Sequence, residues 1–327
     1  MTEGTGAPSV FELGDFPLRS GEVLRAAKIV FETHGELNAA RDNAIVFPTA
    51  YGGTHEDNLY LIGPDKALDP GRYFIICPNL FGAGLSSSPS NAAPGQTGPD
   101  FPYVSIADNI EAQKQLVLGH FGVTKVQLVV GFSMGGQQAY QWAVSAPDLI
   151  ERCAPICGSA RTAEHNIVFL DGIEATLLGA GKTAVGKVWA GWGLSQTFYR
   201  EERWRLLGFA SRDAFVAERY VASFESSDAH DLHAMLKTWR GANVGDTAPF
   251  GGDMAAALAS IRARTIVLPS RTDLYFPPED SVREVAHLTS GELCVIESIY
   301  GHSAGGGAND ADTAFIDAQL KRLLADR

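Results

Sequence analysis

Short apolar runs recur along the chain at residues 44–47, 73–77, 125–130, 152–157, 265–268 and 293–296. Runs of four to six apolar or β-branched residues suit strands buried on both faces of a parallel sheet. Between and after them, apolar residues return with helical spacing over 108–120, 137–146, 278–288 and 312–324. Ahead of all these, 11–18 and 22–32 read as two extended segments, and Arg19-Ser20-Gly21 between them is a hairpin signal. Strands that alternate with helices call for right-handed crossovers and a mainly parallel sheet. The pattern therefore predicts an α/β fold with eight strands, antiparallel at the start, parallel thereafter, and flanked by helices.

The rhythm breaks between about residues 159 and 250. This stretch is mostly helical in composition, shows no clear strand, and holds four of the five tryptophans: Trp189, Trp192, Trp204 and Trp239. It reads as a helical cap, 159–250, inserted into a core made of 1–158 and 251–327. Ligands of open α/β sheets bind beyond the carboxyl ends of the strands, so a cap placed there would shape a pocket and exclude water. Most of the tryptophans are expected to pack the cap on itself, and Trp192 is assigned to the pocket.

Composition narrows the partners. The 327 residues carry a formal net charge of -12, with 45% hydrophobic and 20% charged residues. An acidic surface repels phosphate backbones and anionic membrane faces, which argues against nucleic-acid or membrane binding. The start, Met1 to Pro8, lacks a basic patch followed by an apolar core, so no signal peptide is expected, and no apolar run is long enough to span a bilayer. Of the four cysteines, Cys153 and Cys157 are spaced C-x-x-x-C without a second pair, a poor zinc or redox signature. A cytoplasmic protein with reduced thiols is the simplest account.

Candidate chemistry begins at Gly131-Phe132-Ser133-Met134-Gly135. This is G-x-S-x-G, in which a serine is thrust out of a strained strand-to-helix turn. The pattern is frequent by chance, and an idle serine at an ordinary buried junction would match it too. Here the buried strand before it, the helix-forming stretch after it and the glycines around it supply the context a sharp elbow needs.

A serine hydroxyl is a weak nucleophile and needs a base, which in turn is oriented by a third group. In the order Ser, acid, His, the acid follows a late strand and the histidine the last one. Asp273 follows the 265–268 run, and His302 follows the 293–296 run in a glycine-rich loop, 29 positions later. That interval accommodates one helix and one strand. Asp253 and Asp280 are rival acids by composition, and an aspartate after a strand is often only a helix cap. His230 and His233, near Asp228 and Asp231, have a spacing compatible with a metal, but serine ester chemistry requires none.

The oxyanion of a tetrahedral intermediate must meet preorganised N–H donors. The backbone of Met134 is one candidate; the other lies in the glycine-containing loop after the 44–47 strand, at Ala50 or Tyr51. Residues 79–84, with Phe81, form a further pocket wall.

The stretch 131–139, together with Trp142-Ala143, Pro147-Asp148, Phe101-Pro102, Asp108, Gln113, the segment 273–277 and Gly301-His302, resembles the homoserine O-acetyltransferase-like group of α/β-hydrolases. The resemblance covers nearly the whole chain and is most specific at the elbow. It implies the α/β-hydrolase fold and a ping-pong mechanism in which Ser133 takes an acyl group and passes it on. The group holds acetyltransferases that use acetyl-CoA and homoserine, and esterases that use water. In the acetyltransferases an aspartate resembling a ligand for the homoserine amino group follows the catalytic histidine; here Ser303 stands there, removing a charge-assisted contact. Their leucine-threonine-glycine loop is here Ala50-Tyr51-Gly52, which puts a ring at the pocket mouth. Lys187, Arg161 and Arg271 remain as groups that could recruit a carboxylate or the phosphates of CoA. By family analogy the exposed face of the cap forms a homodimer.

The sequence thus predicts a serine carboxylic ester hydrolase of short, acetyl-type esters. Ser133 is the nucleophile, His302 the base, Asp273 its orienter, and Met134 with Ala50 or Tyr51 the oxyanion donors. Tyr51, Phe81, Ser303 and Trp192 line the pocket. Neither metal nor cofactor is expected. The alternative is a homoserine O-acetyltransferase, for which acetyl-CoA would be a co-substrate, and a third reading is a silent binding protein on the same fold.

Overall fold

A computed structural model describes residues 8–325. Most of the N-terminal stretch weighed above as a signal peptide, residues 1–7, lies outside the described residues. Eight strands form one sheet in the order β1-β2-β4-β3-β5-β6-β7-β8. β1 (Ser9–Pro17) and β2 (Val23–His34) pair antiparallel through the expected turn, and β2 also pairs antiparallel with β4 (Phe74–Pro78). All later neighbours are parallel: β3 (Ala44–Val46), β5 (Val126–Phe132), β6 (Arg152–Ile156), β7 (Arg264–Val267) and β8 (Gly291–Leu293).

The continuous apolar runs are explained by two cores, one on each face. Ile45, Ile75, Leu128, Val130 and Ile266 point to a core shared with Ile316, Leu320 and Leu323 of the terminal helix Asp310–Ala325. Val46, Ile76, Val129 and Val267 join the opposite core, with α1 (Ile106–Lys114) and α2 (Met134–Ser145). Successive residues of a strand face opposite ways, so a strand covered on both sides has no polar alternate positions.

The last strand departs from expectation. The apolar run predicts a strand over 293–296, yet β8 covers Gly291–Leu293. Pairing does continue beyond it: the N–H groups of Cys294 and Ile296 donate to the carbonyls of Val267 and Pro269 at 2.9 and 2.8 Å. β8 is an edge strand, and backbone pairing to one neighbour defines it; exposed Glu292 marks the polar character such an edge tolerates.

Between β6 and β7 the chain leaves the sheet and forms a run of helices, including α3 (Glu164–Ala180), α4 (Lys182–Trp192) and the helix Ala229–Arg240. The segment departs and returns at one neck, where Arg161 and Asn243 form an antiparallel bridge and Val244 N–H donates to Ala160 O at 2.9 Å. Among the described residues no helix is long and apolar enough to cross a membrane. The four cysteines are free thiols.

Candidate active site

Ser133 sits between β5 and α2 with φ 57° and ψ -122°, a conformation an L-residue adopts only when its surroundings impose it. Its N–H donates to Ile156 O at 2.9 Å, and its own carbonyl accepts from Gly136 N–H at 2.8 Å. The neighbouring glycines are required by space. A Cβ on Gly131 would stand 2.1 Å from Gly135 O, and one on Gly158 would stand 2.8 Å from Ser133 O. The elbow is therefore tight enough that β5, α2 and the end of β6 touch backbone to backbone.

Asp273 and His302 arrive from the loops beyond β7 and β8. Asp273 Oδ1 accepts from the N–H groups of Tyr275 and Phe276 at 2.8 and 3.2 Å, and its Oδ2 stands 2.7 Å from His302 Nδ1. A carboxylate only accepts, so Nδ1 carries the proton and donates to Asp273. His302 Nε2 is then the acceptor, 2.9 Å from Ser133 Oγ. All three residues are buried. The imidazole is held by rings on several sides, with Phe132 at 4.7 Å, Tyr275 at 4.8 Å and Phe276 at 5.6 Å between centroids.

Thr272 joins the two loops: its Oγ1 donates to Ser298 O at 2.9 Å and accepts from Gly301 N–H at 3.1 Å. Gly301 has φ 59°, and a Cβ there would lie 2.7 Å from Leu194 Cα, so the histidine loop packs against the helical segment. Asp253 caps a later helix through Ala256 N–H, and Asp280 lies in the first turn of the helix Pro278–Val285. Neither rival acid meets His302.

A thiol lies behind the three residues. The ligand atoms of Cys157, Asp273 and His302 are within 4.8 Å of one another, the one such group of three among the described residues. Burial, and then the charge of Asp273, push the Cys157 thiol well above its ordinary range. A protonated thiol is a poor metal ligand, so the donor set does not suit a cation. His233 is held by Glu174, at 2.6 Å, and makes no cluster with His230.

Among the described residues, no acceptor takes the N–H of Ala50 or Tyr51. Both residues line a cavity of about 250 Å³, with Phe132, Trp189, Tyr220 and Ser303 around it. This is at the small end for ligand pockets. The Tyr51 ring stacks on Trp189 with centroids 5.0 Å apart, and its hydroxyl donates to Leu232 O at 3.0 Å.

The family model for the α/β hydrolase fold matches residues 43–305. The chain belongs to the α/β-hydrolase family. Within that family its relatives fall in the homoserine O-acetyltransferase-like group of acetyltransferases and related acetyl esterases. It is 35% identical to the ethyl acetate hydrolase of Pseudomonas veronii, over 99% of this chain and 97% of that one. A solved acetylester hydrolase from Corynebacterium glutamicum superposes with a TM-score of 0.93 at 35% identity, covering 98% of this chain and 97% of the other. A homoserine O-acetyltransferase of Nitrobacter hamburgensis is 32% identical over 88% of this chain and 84% of its own.

In this α/β-hydrolase two residues expected at the pocket lie away from this cavity, whose lining also omits Ser133, Met134 and His302. Phe81 does not line the cavity beside Tyr51; it is buried against Phe16, with centroids 6.1 Å apart, and borders a separate hollow beside the helix Ala229–Arg240. Trp192 also misses it and packs on Phe169 and Tyr275. The tryptophan that reaches the cavity is Trp189, one helical turn earlier, because α4 turns that face toward the Ala50–Tyr51 loop. Helical spacing alone gives the faces of a helix but not which face looks at the sheet.

The cations offered for an anionic acceptor are also elsewhere. Arg271 makes a two-pronged contact with Glu297, and neither it, Lys187 nor Arg161 lines the cavity. Arg219 does, a residue that carries no sequence signal.

Proposed function

We propose that this α/β-hydrolase is a carboxylic ester hydrolase acting on short, acetyl-type esters through an acyl-Ser133 intermediate. The observation that carries the reading is the unbroken hydrogen-bonded line from Asp273 through His302 to Ser133, at 2.7 and 2.9 Å. Ser133 Oγ attacks the ester carbonyl as its proton passes to His302 Nε2. The oxyanion that forms is met by the N–H of Met134 and that of Ala50 or Tyr51. Collapse breaks the bond to the alcohol, which leaves with the proton from His302. Water repeats the sequence on the acyl-serine and releases the acid. Asp273 keeps His302 in the tautomer that can accept. Only a neutral imidazole can accept the serine proton. No step calls for a metal or a cofactor.

Residues 159–250 act in this reading as a cap over the carboxyl ends of the strands, and its Trp189 and Tyr220 close one wall of the cavity. Exposed Val168 and Leu178 on α3 give the cap an apolar outer face that suits a homodimer. Buried free thiols at Cys77, Cys153 and Cys157 suit a cytoplasmic setting.

Water is favoured over homoserine as acceptor by the cavity lining. Ser303 offers no charge for an ammonium, and the one carboxylate among the lining residues, Asp57, is engaged by Thr54 N–H at 2.7 Å. The acetyltransferase reading is tested by supplying acetyl-CoA with and without homoserine, beside ethyl acetate alone. Hydrolysis of ethyl acetate, with no homoserine-dependent CoA release, is the expected result. Homoserine-dependent release would make the chain a transferase.

A further inference from the structure

Gln138 lies five residues beyond Ser133 on α2 and is fully buried. Its Nε2 donates to Thr49 O at 2.8 Å and more weakly to Met134 O at 3.3 Å. Its Oε1 accepts from Gln113 Nε2 at 2.7 Å, and Gln113 Oε1 accepts from Trp142 Nε1 at 2.8 Å. A chain of three buried side chains thus ends on backbone carbonyls, the shorter contact being to Thr49 O. Each amide in it is used at both ends, so neither can flip without leaving a buried group unpaired.

The Thr49 carbonyl is half of a peptide group whose other half is Ala50 N–H. A trans peptide is planar, and its C=O and N–H point in opposite directions. Fixing Thr49 O on the α2 side therefore fixes the direction of Ala50 N–H away from it. Thr49 is clamped at two more points: its N–H donates to Pro78 O at 3.3 Å, and its Oγ1 accepts from Leu80 N–H at 3.0 Å. The same helix that begins at Met134, the other oxyanion donor, carries the side chain that holds the second donor in register.

We propose that Gln138 is a positioning residue for the oxyanion site, orienting the Thr49–Ala50 peptide so that Ala50 N–H, and not that of Tyr51, meets the acyl oxygen. Gln113 and Trp142 keep the Gln138 amide in the rotamer that donates. The inference rests on the acyl-Ser133 reading above. It differs from a packing role because its effect falls on the transition state and not on substrate binding.

The test compares Gln138→Met, which keeps the volume and loses the donor, and Gln138→Glu, which keeps the shape and can only accept when ionised. Both are expected to lower kcat on p-nitrophenyl acetate by on the order of 10–10²-fold, less than deleting a donor outright. KM should stay unchanged, and the inhibition constant of an alkyl trifluoromethyl ketone, which mimics the tetrahedral state, should rise with the fall in kcat. Gln113→Leu frees the far end of the amide and should give a smaller loss of the same kind. It decides the matter if the Gln138 variants do not fold. Unchanged kcat, or a loss confined to KM, overturns the proposal. Stoichiometric labelling of Ser133 by a fluorophosphonate in the parent enzyme separates the two levels. Labelled parent with unaffected variants sinks the role of Gln138 alone, whereas an unlabelled Ser133 sinks the acyl-serine reading.

Discussion

The ring of Tyr51 lies within 18° of parallel to that of Trp189, with centroids 5.0 Å apart. The loop proposed to offer the oxyanion amides is thereby stacked on the helical segment inserted between β6 and β7. Leu232 O, which accepts the Tyr51 hydroxyl, adds a second tie to the same segment. Shape of the pocket and placement of the amides are consequently coupled through one aromatic pair.

Trp189→Ala should loosen that wall. Aromatic pairs contribute about 0.5–1.5 kcal/mol beyond the area they bury, and the ring also occupies space beside the cavity. We expect kcat/KM for ethyl acetate to fall while acetates of longer alcohols gain relative to it. Rates across ethyl to hexyl acetate check this; an unchanged ranking would show that Trp189 does not set the pocket.

Asp273→Asn retains shape but lets the amide present its donor to His302, favouring the tautomer that cannot accept from Ser133. A loss in kcat on the order of 10³–10⁴-fold is expected, with little change in melting temperature at neutral pH. Loss of activity only in step with unfolding would reduce Asp273 to a structural role.

Glu284 gives a pH dependence whose sign is fixed by burial. Desolvation is the largest cause of its rise to about 8, and the N–H of Ala160, which donates at 2.7 Å, only partly offsets it. The carboxyl's folded-state value lies above its unfolded one. Its contribution to stability is therefore fully present below the unfolded value near 4.5 and is lost as pH rises toward about 8. The slope is at most about 1.4 kcal/mol per pH unit. Glu284→Gln should flatten melting temperature across this window and be the more stable protein above it. Parallel curves for the two proteins would contradict the assignment.

The elbow has no room for a methyl group. Gly158→Ala places a Cβ 2.8 Å from Ser133 O and 2.9 Å from Gly136 Cα, both backbone atoms. Overpacking of this kind costs about 1–3 kcal/mol. The cost should appear as a lower melting temperature together with lost activity, since the displaced atom belongs to Ser133 itself.

Most of the sheet was legible because strands buried on two faces have a continuous apolar signature, and Ser133, Asp273 and His302 were legible because each follows such a run. The apolar run misplaces β8 because an edge strand is defined by its neighbour's backbone and not by apolar side chains. The sequence does not separate Trp192 from Trp189, three positions apart, and only the docking of α4 decides which one faces Tyr51. Thr272 and Gln138 have no role legible in the sequence for a related reason. Their side chains bond backbone atoms 26 and 89 residues away, and such contacts leave no local pattern.

The central claim is that Ser133 carries the acyl group. Its most direct test is to mix enzyme with p-nitrophenyl acetate, quench in acid during turnover, and map the peptides by mass. One acetyl group on the peptide containing Ser133, absent in Ser133→Ala together with turnover, is the predicted result. Turnover that persists in Ser133→Ala would contradict the account.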